Sequence, residues 1–245
     1  MKIIFLGTNG WYDTDTGNAI CTLIDSKDCY IILDAGNGIH KVDRYIKENK
    51  PVFLFLSHFH LDHIVGLHIL IKFKFSSLKI IGQPGTISTI NEFLTDKYSV
   101  PLSKLPYKTE VIDVDEGWHN EPVKFQCLKL VHVSQCFGYR LELENKIISY
   151  CIDTGFCEHA VELSRSADLL ISECAFFGDI NPQWPHLNPE LAAKLAFESE
   201  VKKLFLTHFD AAVYQTIKKR NDAERIAKKI FRNTIAARDN KFVIL

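Results

Sequence analysis

Short apolar runs closed by glycine, asparagine or aspartate recur along the chain and predict β-strands. Lys2–Leu6 stops at Gly7-Thr8-Asn9-Gly10, and Val52–Leu56 is so uniformly apolar that we expect it to be buried on both faces of a sheet. The other predicted strands are Ala19–Ile24, Tyr30–Leu33, Lys79–Ile81, Glu110–Val114, Val123–His132, Gly138–Leu143, Lys146–Ile152, Leu169–Ser172, Lys203–Leu206 and Lys241–Leu245.

Between the strands, apolar residues spaced three or four positions apart predict helices. Ile39–Asn49 has this spacing and stops before Pro51, while Asn188-Pro189-Glu190 supplies an N-cap and a first-turn proline for a helix that runs to about Glu198. The other predicted helices are Leu67–Lys74, Gly85–Leu94 and Glu158–Ser164, and a basic helix is predicted to cover much of Asp222–Ala237. Strands in both halves with helices between them predict an α/β fold whose sheets are covered by helices, and no linker divides residues 1–245 into domains.

The composition is that of an ordinary globular protein and narrows the function little. The 245 residues are 47% hydrophobic and carry a formal net charge of -1, so the overall charge does not favour nucleic acid. Seven cysteines without a CxxC pair do not form a disulfide framework or a zinc ribbon, which favours a reducing compartment. No signal-peptide pattern or membrane-spanning segment is visible, so we expect a cytoplasmic protein with no membrane partner.

Three histidines and an aspartate lie within one short segment directly after the predicted strand Val52–Leu56. They are His58, His60, Asp62 and His63, and ligand sites of open sheets gather at the carboxyl ends of strands. Alternate residues of an extended turn face one side, so His58 and His60 can hold one metal ion while Asp62 and His63 face a second position. Zinc favours such imidazole and carboxylate ligands. The alternative is a chance cluster on a surface turn, which the preceding apolar strand makes a poorer explanation.

No single turn can enclose a metal ion, so further ligands must come from distant parts of the chain. His132, Asp153 and His208 each follow directly on an apolar predicted strand. Taken singly, each could be an ordinary strand-terminal residue. Together with the first cluster, they predict a metal site assembled at the tips of several strands.

The order His58-Phe59-His60-Leu61-Asp62-His63, then His132, Asp153 and His208, resembles the HxHxDH…H…D…H signature of the metallo-β-lactamase superfamily. Other segments resemble its ribonuclease Z and cyclic-phosphodiesterase branch. They are Gly7-Thr8, Asp34-Ala35-Gly36, Gly66-Leu67, Gly82-Gln83-Pro84-Gly85, Gly138-Tyr139-Arg140 and His186-Leu187-Asn188-Pro189-Glu190-Leu191-Ala192-Ala193. The resemblance covers nearly the whole chain and implies a four-layer αβ/βα sandwich, in which two β-sheets are flanked by helices and the site lies at one edge.

The resemblance also implies two zinc ions per chain, although Mn²⁺ or Fe²⁺ could occupy the same ligands. It assigns His58, His60 and His132 to the first ion. It assigns Asp62, His63 and His208 to the second ion, and Asp153 would bridge the two. A water between two such ions ionises near neutral pH and becomes a nucleophile, with Asp62 near enough to accept its proton. This chemistry favours an anionic phosphodiester, which RNA could supply, and the chain could form a homodimer.

The resemblance further assigns a phosphate-assisting role to His186, which would donate a proton or a hydrogen bond to the developing charge. The alternative is a polar residue that merely precedes a helix. Glu173, after the predicted strand Leu169–Ser172, would orient His186 or a ligand histidine. The alternative for Glu173 is a solvated glutamate at a strand end.

Three functions remain open at this point. The first is a phosphodiesterase of the ribonuclease Z type, which acts on an RNA 3′-end or on a small or cyclic phosphodiester. The second is a metal-dependent lactone or thioester hydrolase, and the third is a non-catalytic metal-binding protein. The His186 segment favours the first, and the complete ligand set argues against the third. Ribonucleases Z that process tRNA commonly carry a long Gly- and Lys-rich arm, and no such arm is visible here.

Overall fold

The computed structural model describes residues 1–245 and contains sixteen strands. In chain order they are β1 (Lys2–Gly7), β2 (Asn9–Gly10), β3 (Cys21–Asp25), β4 (Tyr30–Leu33), β5 (Val52–Phe55), β6 (Ser77–Gly82), β7 (Lys108–Asp113), β8 (Gly117–His119), β9 (Lys124–Lys129), β10 (Phe137–Leu143), β11 (Lys146–Cys151), β12 (Leu169–Glu173), β13 (Leu204–Thr207), β14 (Phe209–Asp210), β15 (Thr234–Ala236) and β16 (Phe242–Ile244).

Two large sheets contain seven strands each. The first has the order β16-β1-β3-β4-β5-β6-β7 and the second has the order β15-β13-β12-β11-β10-β9-β8. Strands β4, β5 and β6 run parallel in the first sheet, and β11, β12 and β13 run parallel in the second. Parallel neighbours bring their carboxyl ends to one edge of each sheet. The short parallel pair β2–β14 links the segments that follow β1 and β13.

The helices are short. The α-helices are α1 (Leu61–Ile64), α2 (Thr86–Phe93), α3 (Glu158–Ser164), α4 (Pro189–Glu198) and α5 (Ile217–Ala227), and the 3₁₀ helices are Asn37–Arg44, Val65–Lys72 and Leu102–Lys104. Asn188 caps α4 as predicted, because its side chain accepts a hydrogen bond from the Leu191 N–H at 2.9 Å. None of these helices is both long and apolar enough to span a membrane.

Three apolar clusters define the layers of the fold. In the cluster between the sheets, Phe5 stacks on Phe205 with ring centroids 4.9 Å apart, and Phe55 meets Phe125 edge-on at 5.0 Å. A second cluster packs the outer face of the first sheet against α2 and the 3₁₀ helices, and a third packs the second sheet against α3, α4 and α5. This helix–sheet–sheet–helix order confirms the predicted four-layer αβ/βα sandwich.

Two predicted helices have the tighter 3₁₀ form. Ile39–Asn49 is observed as Asn37–Arg44, and Leu67–Lys74 is observed as Val65–Lys72. The large apolar side chains that each helix buries are three positions apart, which is the repeat of a 3₁₀ helix. The sequence pattern therefore located the buried face but not the helix type.

Two predicted boundaries are wrong because long-range pairing decides them. The predicted helix Asp222–Ala237 is α5, which ends at Ala227, and Thr234–Ala236 instead forms β15 by pairing with β13. His132 does not end a strand, since β9 stops at Lys129 where its ladder with β10 finishes. His132 therefore lies in a loop.

Candidate metal centre

Three acidic or histidine residues after strand ends have left-handed backbone conformations. Asp34 follows β4, Asp153 follows β11 and His208 follows β13, with φ values of 57°, 53° and 48°. Residues with a Cβ seldom adopt such angles, although aspartate and histidine tolerate them better than most. The three side chains belong to one connected set of contacts at the edge of the sandwich, so the surrounding fold maintains this conformation where the site is built.

His58, His60, His132 and Asp153 form the first of two groups whose ligand atoms lie within 4.8 Å of one another. The three imidazole rings meet edge-on, with centroids between 4.4 and 5.0 Å apart. His132 reaches the group from the loop after β9, 72 residues beyond His60. The fold therefore brings together residues that the sequence analysis had assigned to one metal ion.

Asp62, His63 and His208 form the second group. His63 Nε2 lies 3.1 Å from His208 Nε2, and Asp62 Oδ2 lies 3.4 and 3.3 Å from these two atoms. Asp153 Oδ2 lies 3.1 Å from His58 Nε2 and 3.0 Å from His63 Nε2, while its Oδ1 lies 3.1 Å from His208 Nδ1. Asp153 thus contacts both groups, which is the place expected of a bridging carboxylate.

Several buried polar atoms of these groups form no hydrogen bond of good geometry, although some of them lie close to one another. They are His58 Nε2, His132 Nδ1, His208 Nδ1 and Asp153 Oδ1. Buried polar atoms are rarely left unpaired. Imidazole nitrogens and carboxylate oxygens that converge on one point are also the ligands that zinc and similar cations prefer. The residues present therefore fit divalent metal ions.

A buried histidine–glutamate pair lies against Asp153. His186 Nδ1 is 2.9 and 3.0 Å from the two carboxylate oxygens of Glu173 and 3.5 Å from Asp153 Oδ1. Glu173 is fully buried and also accepts hydrogen bonds from the backbone N–H groups of Thr154 and Leu187, so it is not a solvated strand-end residue. Burial opposes protonation of His186, but the charge of Glu173 outweighs it and raises the pKa of His186 to about 9.

Comparison with known proteins places this geometry in a family. Residues 30–209, which include both ligand groups and His186, match a family model described as a beta-lactamase superfamily domain. The chain belongs to this superfamily. The predicted resemblance at the family level is therefore confirmed.

Two relatives support the prediction that the chain is a hydrolase. The chain is 26% identical over 255 residues to the probable metallo-hydrolase YhfI of Bacillus subtilis (strain 168), with 99% of each chain covered. It is 26% identical over 304 residues to ribonuclease Z of Rippkaea orientalis, with 98% of this chain and 96% of the relative covered. These matches confirm the prediction of a metal-dependent hydrolase related to ribonuclease Z. The alignment with ribonuclease Z exceeds the 245 residues of this chain by about 60 positions, so the relative contains segments without a counterpart here.

Solved structures confirm the fold. The crystal structure of YhfI from Bacillus subtilis matches with a TM-score of 0.80 at 24% identity, over 99% of this chain and 98% of that chain. The short form of human tRNase Z (ELAC1) matches with a TM-score of 0.77 at 20% identity, over 100% of this chain and 99% of that chain.

Asp34 is a site residue that the sequence analysis did not assign. Its fully buried carboxylate accepts hydrogen bonds from Ser57 N–H at 2.8 Å, Tyr150 O–H at 2.7 Å and His63 Nδ1 at 2.9 Å. Burial opposes its ionisation, but the charge of His63 and the hydrogen bonds from His63 and the Ser57 N–H lower its pKa. Asp34 thereby holds one proton of His63 on Nδ1, so that Nε2 is the nitrogen that loses its proton when a metal ion binds. The feature of the sequence that could have identified Asp34 is its position directly after an apolar predicted strand and before Ala35-Gly36.

The protonation of the histidines differs between the two groups. Burial lowers the pKa of His58 to about 4 and that of His132 to about 3, so both are neutral at pH 7, the form that binds a metal ion. Burial acts in the same direction on His63 and His208, but neighbouring carboxylates, Asp153 among them, outweigh it and raise both pKa values. The second group therefore favours positive charge at its centre, which a divalent cation supplies.

A cavity of ≈ 400 Å³ opens above the two ligand groups. His60, Asp62, His132, Asp153, His186 and His208 line it on one side. Trp11, Leu61, Phe176 and Trp184 contribute large apolar surfaces to the same cavity. The two tryptophans are not predicted as site residues from the sequence, since neither lies in a motif or a periodic segment.

Proposed function

We propose that the chain is a binuclear zinc-dependent phosphodiesterase of the ribonuclease Z type, which acts on an RNA 3′-end or on a small or cyclic phosphodiester. The observation that carries this proposal is the His186–Glu173 pair, whose His186 Nδ1 lies 3.5 Å from Asp153, the carboxylate shared by both ligand groups. A histidine held this close to the ligand groups can reach the oxygens of a substrate bound there. His186 is predicted to act as an acid and Glu173 as the residue that orients it.

When bound, two divalent ions supply an activated water and neutralise the oxygens of the phosphodiester. Because Glu173 engages Nδ1 of His186, Nε2 is the ring nitrogen that can donate a proton to the leaving oxygen. The carboxylate of Glu173 stabilises the charged imidazole between turnovers. Asp62, held by the Trp11 N–H at 2.7 Å, lies in the second ligand group and can accept a proton from the attacking water.

A lactone or thioester hydrolase is the second candidate, and the apolar side of the cavity is the observation that favours it. The metal ligands do not distinguish the two reactions, because the same ions can activate water for either bond. The His186–Glu173 pair disfavours the thioester, since a thiolate leaving group needs a proton less than an alkoxide does, and the similarity to ribonuclease Z favours the phosphodiester over the lactone. The non-catalytic alternative is disfavoured by the relatives, which are named as hydrolases.

The decisive experiment combines metal analysis with a hydrolysis panel. The panel contains bis-p-nitrophenyl phosphate, a 2′,3′-cyclic nucleotide, a pre-tRNA, a lactone and a thioester. We expect two metal ions per chain, hydrolysis of one or more phosphodiesters, and loss of both activity and thermal stability after chelation. Hydrolysis of the lactone or thioester alone by metal-replete protein would overturn the proposal.

A His186→Gln variant tests the role of the acid. Glutamine can still donate a hydrogen bond to Glu173 but cannot protonate a leaving group. Phosphodiester cleavage should fall by roughly 10²–10⁴-fold with metal content unchanged, and the loss should shrink for substrates with good leaving groups. His159→Gln is the matched control, because His159 is an exposed histidine outside both ligand groups. Unchanged cleavage of every phosphodiester by His186→Gln would remove the acid role.

A further inference from the structure

Two of the three tryptophans of the chain expose large parts of their indoles at the cavity. Trp11 is 66% exposed and Trp184 is 44% exposed, and both line the space above the ligand groups. An indole left in water forgoes the burial that usually stabilises it, and large exposed apolar surfaces tend to mark binding sites. Two such side chains at one cavity indicate a planar apolar ligand.

Trp184 lies over the histidines of the site. Its ring is parallel to that of His60, with an interplanar angle of 4° and centroids 6.5 Å apart. The same indole is 6.2 Å from the His132 ring and 6.3 Å from the His186 ring. A planar group that stacks on Trp184 could therefore belong to the same molecule as a phosphate held at the ligand groups.

Trp11 is held in a strained conformation beside the second ligand group. Its φ is 75°, which is uncommon for a residue with a large side chain, and its N–H donates to Asp62 Oδ2 at 2.7 Å. The buried guanidinium of Arg220 donates to the side chains of Asn9 and Thr16 and so anchors both ends of this loop. The backbone of Trp11, from which the indole extends, is thus tied to Asp62.

The charge of the cavity limits how many phosphates a substrate can carry. No lysine or arginine lines it. Asp210 adds a carboxylate outside the ligand groups, held by the backbone N–H groups of Ala212 at 2.7 Å and Val213 at 3.2 Å. Proteins that bind nucleic-acid strands place basic side chains along the backbone. This cavity offers aromatic surface and negative charge instead.

Resting on the proposed phosphodiesterase function, we infer that the substrate is a small phosphodiester with one negative charge, whose retained ester carries a planar aromatic group that stacks on Trp184 and Trp11. A nucleobase and a simple aryl ester share this chemistry. A polynucleotide fits it less well, because the cavity presents Asp210 and no lysine or arginine to a further phosphate.

The test uses p-nitrophenyl phosphodiesters that share one leaving group and differ in the retained ester. The retained groups are methyl, phenyl, thymidine, and thymidine that carries a 3′-phosphate. We expect kcat/KM for the phenyl or thymidine ester to exceed that for the methyl ester by roughly 5- to 150-fold, the range of base–aromatic stacking. Whichever of the phenyl and thymidine esters has the higher kcat/KM shows whether the substrate is a simple aryl ester or a nucleoside ester. The added 3′-phosphate should lower kcat/KM, and Asp210→Asn should recover part of that loss.

Tryptophan variants locate the preference. Trp184→Leu and Trp11→Leu should reduce the aromatic-to-methyl ratio of kcat/KM at least several-fold, whereas Trp184→Phe should keep most of it. Trp118→Leu is the matched control, because Trp118 is 49% exposed but does not line the cavity. Quenching of tryptophan fluorescence by the methyl phosphodiester of thymidine, which lacks the strongly absorbing nitrophenyl group, measures the stacking in the metal-free Trp118→Leu protein without turnover.

The outcomes separate this inference from the function on which it rests. Equal hydrolysis of the methyl and aromatic esters, or a preference that survives Trp184→Leu and Trp11→Leu, would overturn the inference and leave the phosphodiesterase intact. Faster cleavage of the doubly charged thymidine ester or of a single-stranded oligonucleotide would also overturn it. Failure to hydrolyse any ester of the series by metal-replete protein would instead refute the phosphodiesterase.

Discussion

Replacing Asp34 by asparagine tests whether a carboxylate outside the ligand groups sets the proton of His63. The wild-type carboxylate accepts from Ser57, Tyr150 and His63 and donates to none. In one orientation, the amide nitrogen of asparagine faces His63 Nδ1, which then becomes an acceptor and moves its proton to Nε2. Nε2 is the atom that lies 3.0 Å from Asp153, so a proton there blocks a metal ion. In the other orientation, the amide nitrogen faces the Ser57 N–H, and two donors meet.

Both orientations carry a cost whose size follows from the contacts. Loss of a partner that orients a metal-binding histidine weakens metal affinity by about 10–100-fold. Loss of a hydrogen bond to a buried charge costs about 1.5–3 kcal/mol, which corresponds to a decrease in melting temperature of about 3–12 °C for a chain of this size. We therefore expect Asp34→Asn to bind zinc more weakly and to be less stable even without metal.

Zinc affinity is measured by competition with a chelator of known affinity, and stability by thermal unfolding of the metal-free protein. Tyr150→Phe is the matched control, because it removes one donor to Asp34 but leaves the contact between Asp34 and His63. This control should lose stability and keep its zinc affinity. Wild-type zinc affinity in a destabilised Asp34→Asn protein would refute the argument about the proton of His63.

Three further predictions concern turnover, stability and pH. Asp62→Ala should lower turnover by at least about 10²-fold, because a proposed ligand and proton acceptor is lost. Arg220→Met should reduce the free energy of unfolding by about 2–4 kcal/mol, since the buried guanidinium donates to Thr8 and two neighbouring side chains. The pKa of His186, about 9, is raised above the value of about 6.5 expected in the unfolded chain. Its pairing with Glu173 therefore stabilises the metal-free protein fully below about pH 6.5, and this stabilisation is lost as the pH rises to about 9.

Each of these predictions can be contradicted by a specific result or checked against a control variant. Near-normal turnover of folded, metal-replete Asp62→Ala protein would contradict the first. For the second, Arg225→Met changes an arginine of the same helix whose side chain is 74% exposed, and urea unfolding should show a loss of less than about 0.5 kcal/mol. For the third, denaturant unfolding of His186→Gln should show a smaller decline between about pH 6.5 and pH 9 than the wild type, because the raised pKa values of His63 and His208 contribute to the decline in both proteins. An identical decline in wild type and variant would assign it to other groups.

The local sequence determined the parts of this protein that depend on burial and on chain-adjacent chemistry. Apolar runs marked β4, β5, β11 and β13 because buried strands need side chains of one kind, whatever they pair with. The polar residues directly beyond them, such as Asp153 and His208, were visible as interruptions of those runs. Asn188 could be assigned as a helix cap because its hydrogen bond spans three residues.

The tertiary structure alone decided features that rest on contacts between distant segments. Residues 234–236 form a strand because β13 lies beside them, although the sequence predicts a helix there. His132 reaches the first ligand group from a loop whose course depends on the end of the β9–β10 ladder. The role of Asp34 requires Tyr150, 116 residues away, and Trp11 and Trp184 meet at one cavity only after folding. Hydrophobic periodicity reports how each residue is buried, but it carries no information about which partner buries it.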